Sequence, residues 1–456
     1  MNIPRHIFKT YDIRGLIGEE VTVPLAARVG RGFVTLIQNE HPGIALKIAV
    51  GRDMRESSAE LQEALMSAMI EAGADVLDVG LVSTPAFYFS VGHTRAHAGV
   101  MISASHNPAA YNGFKLTRAN AVPVSGYSGI QEVADIIESE SFAVPSRVGT
   151  RTVVSNVPSL AAEHELAFVG NDPVRKMRVV ADPGNGMGAQ YLDELFKRVP
   201  LDVTRMYWEF DGNFPNHEAD PLKEENTRDL RRQVLAHGAD IGIATDGDGD
   251  RIFFVDDKGD VVEPSIVRGL IAQVMLRRHP GARVCYDIRP GKITEDMIRE
   301  AGGEPCITRV GHSLIKEQMI REEAIFAGES SGHFFYAFPN GCYEGPVAVA
   351  SMMLQEMTRL GKSLSDIVAP LRRYAHSGEI NFQVSDKAGV LAAIKQAFSE
   401  GTLLEIDGVT ITYPDFWFNV RASNTESLIR LTVEAIDRAA MESRRDEITA
   451  IIKQFV

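Results

Sequence analysis

Five short stretches of this chain combine residue types and spacings that do chemistry. In Asp246-Gly-Asp-Gly-Asp-Arg251, three carboxylates alternate with glycines. Carboxylates that close repel one another unless a cation gathers them, and the glycines let the backbone curl until all three converge. Hard carboxylate oxygens suit Mg²⁺, which takes few protein ligands and leaves positions for phosphate oxygens. Arg251 adds a fixed positive charge beside the same phosphate. Two rival readings fail on spacing. A calcium EF-hand loop needs glycine at its sixth position, where this chain has Arg251, and glutamate at its twelfth, where it has Asp257. Its flanks should be helices, whereas residues 241–244 and 252–255 read as strands. An aspartyl-phosphate phosphatase motif needs Thr or Val where this chain has Asp250.

Ser103-Ala-Ser-His-Asn-Pro108 follows an apolar run and would present Ser105 at a strand end, with His106 and Asn107 placed to orient its hydroxyl or a phosphate on it. A Ser-His pair by itself reads as an ordinary turn. Lys115, in Asn112-Gly-Phe-Lys115, would steer phosphate or exchange protons; alone it reads as a solvated lysine. Gly328-Glu-Ser-Ser-Gly-His333 offers a carboxylate and hydroxyls, and Glu329 is able to accept hydrogen bonds from two adjacent sugar hydroxyls. Arg421-Ala-Ser-Asn-Thr425 combines a guanidinium with short polar side chains, the mixture of a phosphate cradle, since Arg binds phosphate in a bidentate fork.

The elements that must position these loops recur. Residues 47–53, 178–182 and 283–287 each read as a buried strand ending in a turn. After the first, Ser57 with Glu60 forms a capping-box pattern, and Leu61, Ala64, Leu65, Ala68 and Met69 share one helical face. Gly73 ends that helix and residues 74–79 read as the next strand, completing a parallel crossover unit. The second strand leads through Gly184, Gly186 and Gly188 into a helix and a strand at 202–207; the third leads through Pro290 and Gly291 to a helix at 293–301 and a strand at 305–310. Each unit has a later apolar strand, at 98–102, 240–244 and 324–327, that runs into one of the polar loops. Open α/β sheets place ligands beyond the carboxyl ends of their strands, so three domains would aim three chemistries at one cleft. After about residue 370 the pattern changes to strands at 379–384, 403–412, 416–420 and 428–434, a helix at 387–399 and a closing helix at 439–455.

The expected fold is therefore three related α/β domains with mixed, largely parallel sheets, plus a smaller C-terminal α+β domain, around a central cleft. Expected boundaries are 1–150 for the serine loop, 151–256 for the metal loop, 257–369 for the sugar loop and 370–456 for the phosphate loop. At 456 residues the chain is long enough for roughly three or four domains of ~100–200 residues. Its 45% hydrophobic and 24% charged residues are those of an ordinary soluble protein. A formal charge of −14 argues against a nucleic-acid partner, which wants a basic face, but a local Arg/Lys cluster still attracts an anion once salt screens the distant field. No apolar run reaches the ~18 residues of a membrane span, and no secretory core is expected in residues 1–15. Cys285, Cys306 and Cys342 fit no metal spacing and read as thiols of a reducing cytoplasm.

Taken in this order, the motifs resemble the α-D-phosphohexomutase superfamily, and within it the bacterial phosphomannomutase/phosphoglucomutase branch. The likeness runs from Lys9-Thr-Tyr-Asp-Ile-Arg-Gly15 to the Arg421 loop. It implies an isomerase that interconverts hexose 1-phosphate and hexose 6-phosphate, of mannose or glucose, through a phosphoserine and a hexose 1,6-bisphosphate. Ser105 would be that phosphoserine and would ligate Mg²⁺ together with Asp246, Asp248 and Asp250. Lys115, His312 and Arg251 would join it in catalysis, His312 lying in Arg309-Val-Gly-His-Ser313. Substrate contacts would come from Tyr11, Arg14, Arg289, Gly311, Glu329, Ser331, Arg421, Ser423, Asn424 and Thr425. The implied partner is a small phosphosugar, with the chain acting as a monomer. Met54, Arg289 and Glu344 depart from the family pattern, where glycine, lysine and aspartate are usual. Phosphoglucosamine mutases resemble Gly-Thr-Asp-Gly near the start and Ser-Gly-Thr in the last loop; that sugar, or a non-catalytic phosphosugar-binding role, stays open as an alternative.

Overall fold

The computed structural model describes residues 3–289, 291–422 and 428–456. Its contacts gather the chain into two compact units, Met1–Val262 with Ser331–Ser365, and Glu263–Ser330 with Asp366–Val456.

The first unit holds two mixed sheets. One is built from β1 (Ile13–Leu16), β2 (Lys47–Arg52), β3 (Asp75–Leu81), β4 (Ala98–Ile102), β5 (Tyr111–Arg118) and β6 (Arg151–Val153), in the order β1-β5-β4-β2-β3-β6. Strand β2 lies parallel to β3 and β4, while β5 runs antiparallel to β4 and β1. Every residue of β4 is buried, as expected of a central strand covered on both faces. Ile48, Val50, Val76, Val100 and Ile102 share a core with Leu61, Leu65 and Met69 of the helix Ser58–Glu71 and with Val29 and Phe33 of the helix Val23–Glu40. The expected capping box does not form. Ser57 is itself in helical conformation and makes no side-chain cap. Its hydroxyl instead accepts a hydrogen bond from Asn112 Nδ2 at 2.9 Å, because β5 passes close enough to compete for it.

The second sheet contains β7 (Met177–Asp182), β8 (Leu201–Arg205), β9 (Ile241–Thr245), β10 (Ile252–Asp256) and β11 (Val261–Val262), in the order β11-β10-β9-β7-β8. Strands β7, β8 and β9 are parallel; β9 and β10 form an antiparallel pair around the aspartate loop.

In the second unit, β12 (Arg283–Asp287) is flanked in parallel by β13 (Glu304–Thr308) and β14 (Phe326–Gly328). The triplets β4-β2-β3, β9-β7-β8 and β14-β12-β13 have the same order, with the first strand of each in the middle. The three polar loops thus leave the carboxyl ends of equivalent strands. Strands β15 (Phe334–Phe338) and β16 (Gly341–Glu344), in the first unit, form an antiparallel pair.

The C-terminal sheet comprises β17 (Ala375–His376), β18 (Ile380–Gln383), β19 (Thr402–Leu404), β20 (Val409–Thr412), β21 (Phe416–Ala422) and β22 (Leu428–Ala435), paired antiparallel throughout. The single strand expected at 403–412 is two, folded back on each other where Gly408 takes a positive φ of 71°. Phe418, Val420, Leu431 and Val433 form the core with Val390, Ile394, Ile448 and Ile452 of two covering helices. Among the described residues, no helix is long and apolar enough to cross a membrane.

Candidate active site

Ser105 stands in the turn after β4 with φ of +50°, a left-handed conformation that costs a side-chain-bearing residue ~1–2 kcal/mol. Two contacts hold it there. Ser103 Oγ accepts the Ser105 N–H at 2.9 Å, and Arg55 Nη2 donates to the Ser105 carbonyl at 2.8 Å. Arg55 also donates to the carbonyls of Asn107 at 2.6 Å, Pro108 at 2.9 Å and Tyr111 at 3.0 Å. Buried beside Asp53, this one guanidinium latches the whole serine loop from behind.

The loop after β9 meets the serine. Ser105 Oγ donates to Asp246 Oδ2 at 2.7 Å and lies 3.2 Å from His106 Nδ1. A Cβ on Gly247 would stand 2.6 Å from the Ser105 carbonyl oxygen, so only glycine permits this approach. Gly249, at φ +74°, turns the chain so that the third carboxylate rejoins the first two. One oxygen from each of Asp246, Asp248 and Asp250 lies within 4.8 Å of the others, and all three residues are buried. Lys115, on β5, binds Asp248 Oδ2 at 2.8 Å and also Asp250 Oδ2. Asp248 Oδ2 further accepts from Thr84 Oγ1 at 2.6 Å and Ser103 Oγ at 3.2 Å.

Burial, with the charges of Asp250 and Asp248, pushes the Asp246 carboxyl well above the usual carboxylate range. Burial and Asp250 push Asp248 the same way, but Lys115 and Thr84 overcome them and hold it below that range. Burial also disfavours the Lys115 ammonium, yet Asp248 and Asp250 raise it well above an ordinary lysine. His106 is driven well below an ordinary histidine by burial and by Arg251 and Arg14. The donor set suits a hard divalent cation. It is all carboxylate oxygen, it is destabilised by its own repulsion, and the buried Asp248 Oδ1 accepts no hydrogen bond.

Arg251 follows the aspartates as expected. Its backbone N–H donates to Asp246 Oδ1 at 3.1 Å, and its Nε donates to His333 Nε2 at 3.1 Å. His333 Nδ1 faces Asp250 Oδ1 at 3.5 Å and Glu344 Oε1 at 3.7 Å. Arg14, on β1, donates through Nη1 to Asn107 Oδ1 at 2.6 Å and binds Asp12, so it borders the serine loop. Tyr11 is half-buried just ahead of β1, and Ser331 is buried.

In the second unit, Arg289, Gly311 and Glu329 converge. Glu329 Oε1 accepts from Arg289 Nη2 and from the Gly311 N–H, each at 3.0 Å, and Arg289 Nε donates to Asp287 Oδ2 at 2.6 Å. His312 opens the helix His312–Arg321 directly after Gly311. Arg421 does not lie on a loop: it belongs to β21, is buried and binds Glu379, because the Phe416–Ala422 strand runs further than its apolar stretch. Ser423, Asn424 and Thr425 lie outside the described residues.

Sequence reasoning missed Arg55, Thr84, Ser103 and His333. His333 and Ser103 close and open the Gly328–His333 and Ser103–Pro108 loops, and Arg55 follows Asp53 by two residues at a strand end, the one position of the four with a local signal.

Four models of one family match most of the chain in consecutive pieces. Phosphoglucomutase/phosphomannomutase alpha/beta/alpha domain I matches residues 5–144, domain II 161–259, domain III 263–374, and the C-terminal domain 379–451. The chain belongs to the phosphoglucomutase/phosphomannomutase family. It is an enzyme, of the mutase kind. It is 36% identical to a phosphomannomutase of Escherichia coli, over 98% of this chain and 99% of that one. It is 34% identical to a phosphoglucomutase of Neisseria gonorrhoeae, over 99% and 98%. A crystal structure of a phosphoglucomutase/phosphomannomutase family protein from Burkholderia thailandensis superposes with a TM-score of 0.90 at 30% identity, covering 99% of this chain and 98% of that one.

Proposed function

We propose that this enzyme interconverts hexose 1-phosphate and hexose 6-phosphate, of mannose or glucose, using Ser105 as the phosphoryl carrier. The observation that carries this reading is the 2.7 Å hydrogen bond from Ser105 Oγ to Asp246, which puts a nucleophilic hydroxyl against a buried carboxylate triad. Asp246, Asp248 and Asp250 would hold Mg²⁺, with an oxygen on Ser105 as a further ligand. Bound there, the ion would offset negative charge on a phosphoryl group in transit.

The chain's own residues do the rest. Phosphorylated Ser105 gives its phosphoryl group to the 6-hydroxyl of a hexose 1-phosphate. The bond to Ser105 Oγ breaks as the bond to O6 forms, the 6-hydroxyl loses its proton and Ser105 recovers one. The resulting 1,6-bisphosphate turns end for end and returns its 1-phosphoryl group to Ser105. Arg251 and Lys115 supply fixed positive charge. With Asp248 and Asp250 beside it, Lys115 stays an ammonium, so it suits charge neutralisation. Glu329, oriented by Arg289 and Gly311, would accept sugar hydroxyls in both poses, with His312, Ser331, Tyr11 and Arg14 as further substrate contacts. Arg421 with Ser423, Asn424 and Thr425 would bind the phosphate that is not reacting. The four matched ranges support a division into four domains, with breaks within residues 145–160, 260–262 and 375–378, the last two a few residues beyond the expected 256 and 369.

The test uses radiolabelled glucose 1,6-bisphosphate and a coupled mutase assay. Label should arrive on Ser105, and Ser105→Ala should take up none and lose turnover. Full mutase activity in Ser105→Ala would remove the mechanism. Relative turnover of mannose, glucose and glucosamine phosphates assigns the sugar.

A further inference from the structure

Two of the three cysteines, dispersed in sequence, are brought face to face. Cys285 on β12 and Cys306 on β13 are register partners on neighbouring parallel strands, so their side chains leave the same face of the sheet. Strands lie ~4.8 Å apart, inside the ~4.4–6.8 Å between Cα atoms that a disulfide spans. Neither cysteine is in a disulfide.

Their surroundings differ in a way that assigns roles. Cys285 is buried, while Cys306 is half-buried and within reach of a small reagent. Gln318 Nε2, from the covering helix, donates to Cys306 Sγ at 3.3 Å. The charged groups facing the pair are Arg283 and Glu322, which are bridged to each other at 2.9 Å. The neighbouring Cys285 thiol, with the Gln318 hydrogen bond, brings the Cys306 thiol down to about 7, against burial. Its neighbour Cys306, with burial, pushes Cys285 up, so it keeps its proton. A half-exposed thiolate beside a protonated thiol is the arrangement of an attacking and a resolving cysteine.

We propose that Cys285 and Cys306 are a peroxide-reactive pair that closes to a reversible disulfide. The Cys306 thiolate attacks one oxygen of hydrogen peroxide and the O–O bond breaks, giving a sulfenic acid and a hydroxide that takes up a proton to become water. The Cys285 sulfur then attacks the sulfenic sulfur. Its proton leaves with the departing hydroxyl as a second water. Two thiols lose two electrons in all, and peroxide gains them.

Closure reaches the sugar loop. Closing the bond needs the two Cβ atoms ~3.5–4.5 Å apart, closer than the ~4.8 Å strand spacing, so it shifts β12 against β13 just below their carboxyl ends. Asp287 and Arg289 follow Cys285, and Thr308 and Gly311 follow Cys306; Arg289 and Gly311 are the groups that orient Glu329. This coupling rests on the sugar-binding role proposed for Glu329; the cross-link itself does not.

The full-length protein is treated with hydrogen peroxide, remaining thiols are alkylated, and the digest is mapped by mass. The expected product joins the peptides of Cys285 and Cys306, is two hydrogens lighter than the reduced pair, and reopens with dithiothreitol, with Cys342 alkylated throughout. In Cys285→Ser, dimedone should trap a sulfenic acid on Cys306. Alkylation of both thiols after peroxide, or preferential oxidation of Cys342, overturns the proposal. KM for hexose phosphate should rise several-fold in the oxidised protein and not in peroxide-treated Cys306→Ser. A cross-linked protein with unchanged KM refutes the coupling to Glu329 alone. Absence of mutase activity from the reduced protein counts instead against the function proposed above.

Discussion

Replacing Arg55 with methionine removes the latch behind Ser105 while keeping most of the side chain's volume. Arg55 touches no reacting atom, so any effect on turnover must pass through the loop it holds. Of its bonds to the carbonyls of Ser105, Asn107, Pro108 and Tyr111, only that to Ser105 is wholly shielded from water. A buried bond from a charged donor contributes ~1.5–3 kcal/mol, and water largely replaces the other three. The left-handed Ser105, no longer tied, gains ~1–2 kcal/mol by relaxing. The competent loop is thus disfavoured by ~3 kcal/mol, or about two powers of ten at ~1.4 kcal/mol per tenfold. Asp53, wholly buried, also loses its counter-charge, and breaking such a pair costs ~3–5 kcal/mol of global stability. Asp53→Asn in the same background should recover part of the melting temperature and none of the turnover. Coupled assays should show kcat lowered about a hundredfold with KM little changed, as ~1 Å misplacements do, and slower labelling of Ser105 by bisphosphate. A folded Arg55→Met protein with near-normal kcat would refute the latch.

Other consequences are open to simpler tests. Glu165, buried in the helix Val157–Val169, accepts the Ala348 N–H at 2.9 Å, and burial pushes it up to about 8. Its folded-state value lies above its unfolded one, so its stability contribution is complete below the unfolded value and is lost as pH rises through about 8. Glu165→Gln should therefore flatten the fall in melting temperature between acid and mildly alkaline pH, where the wild-type slope reaches ~1.4 kcal/mol per pH unit; parallel curves would show that Glu165 is ionised throughout. Chelation of divalent metal should abolish turnover and addition of Mg²⁺ restore it, while Asp248→Asn should not be rescued by Mg²⁺ at levels that saturate the wild type; metal-independent turnover would remove the role given to the triad. Arg421→Ala should raise KM and lower kcat together, several-fold each, and kinetics unchanged in both parameters would count against a phosphate clamp.

Much of this protein was legible before folding. Strands and their turns are local: an apolar run bounded by Gly, Asp or Ser announces its own ends, so β2, β4, β7, β9 and β12 were all foreseen to within about two residues. The glycines of the aspartate loop likewise carry their meaning in their spacing, since a carboxylate cluster needs them wherever the loop sits. Partners are a different matter. Ser105 meets Asp246 across 141 positions of chain, and Lys115 meets Asp250 across 135. Whether a lysine is a solvated surface residue or a buried counter-ion depends on which strand lies opposite, and β5 faces the second sheet's loop only once both sheets exist.

The same reasoning explains the misses. Ser57 and Glu60 had the spacing of a capping box, but Asn112, from a strand more than fifty residues away, takes the Ser57 hydroxyl. The sequence places Arg421 on a loop, whereas pairing with β22 carries the strand through it. Cys285 and Cys306 had no spacing worth noting; β12 and β13 set them opposite by register alone. Residue types and intervals determined which chemistry this chain is equipped for, because those depend on covalent structure and local geometry. Tertiary structure alone decided which groups share a charge, a proton or a hydrogen bond, because those energies fall off within a few ångströms and the separations are set by packing.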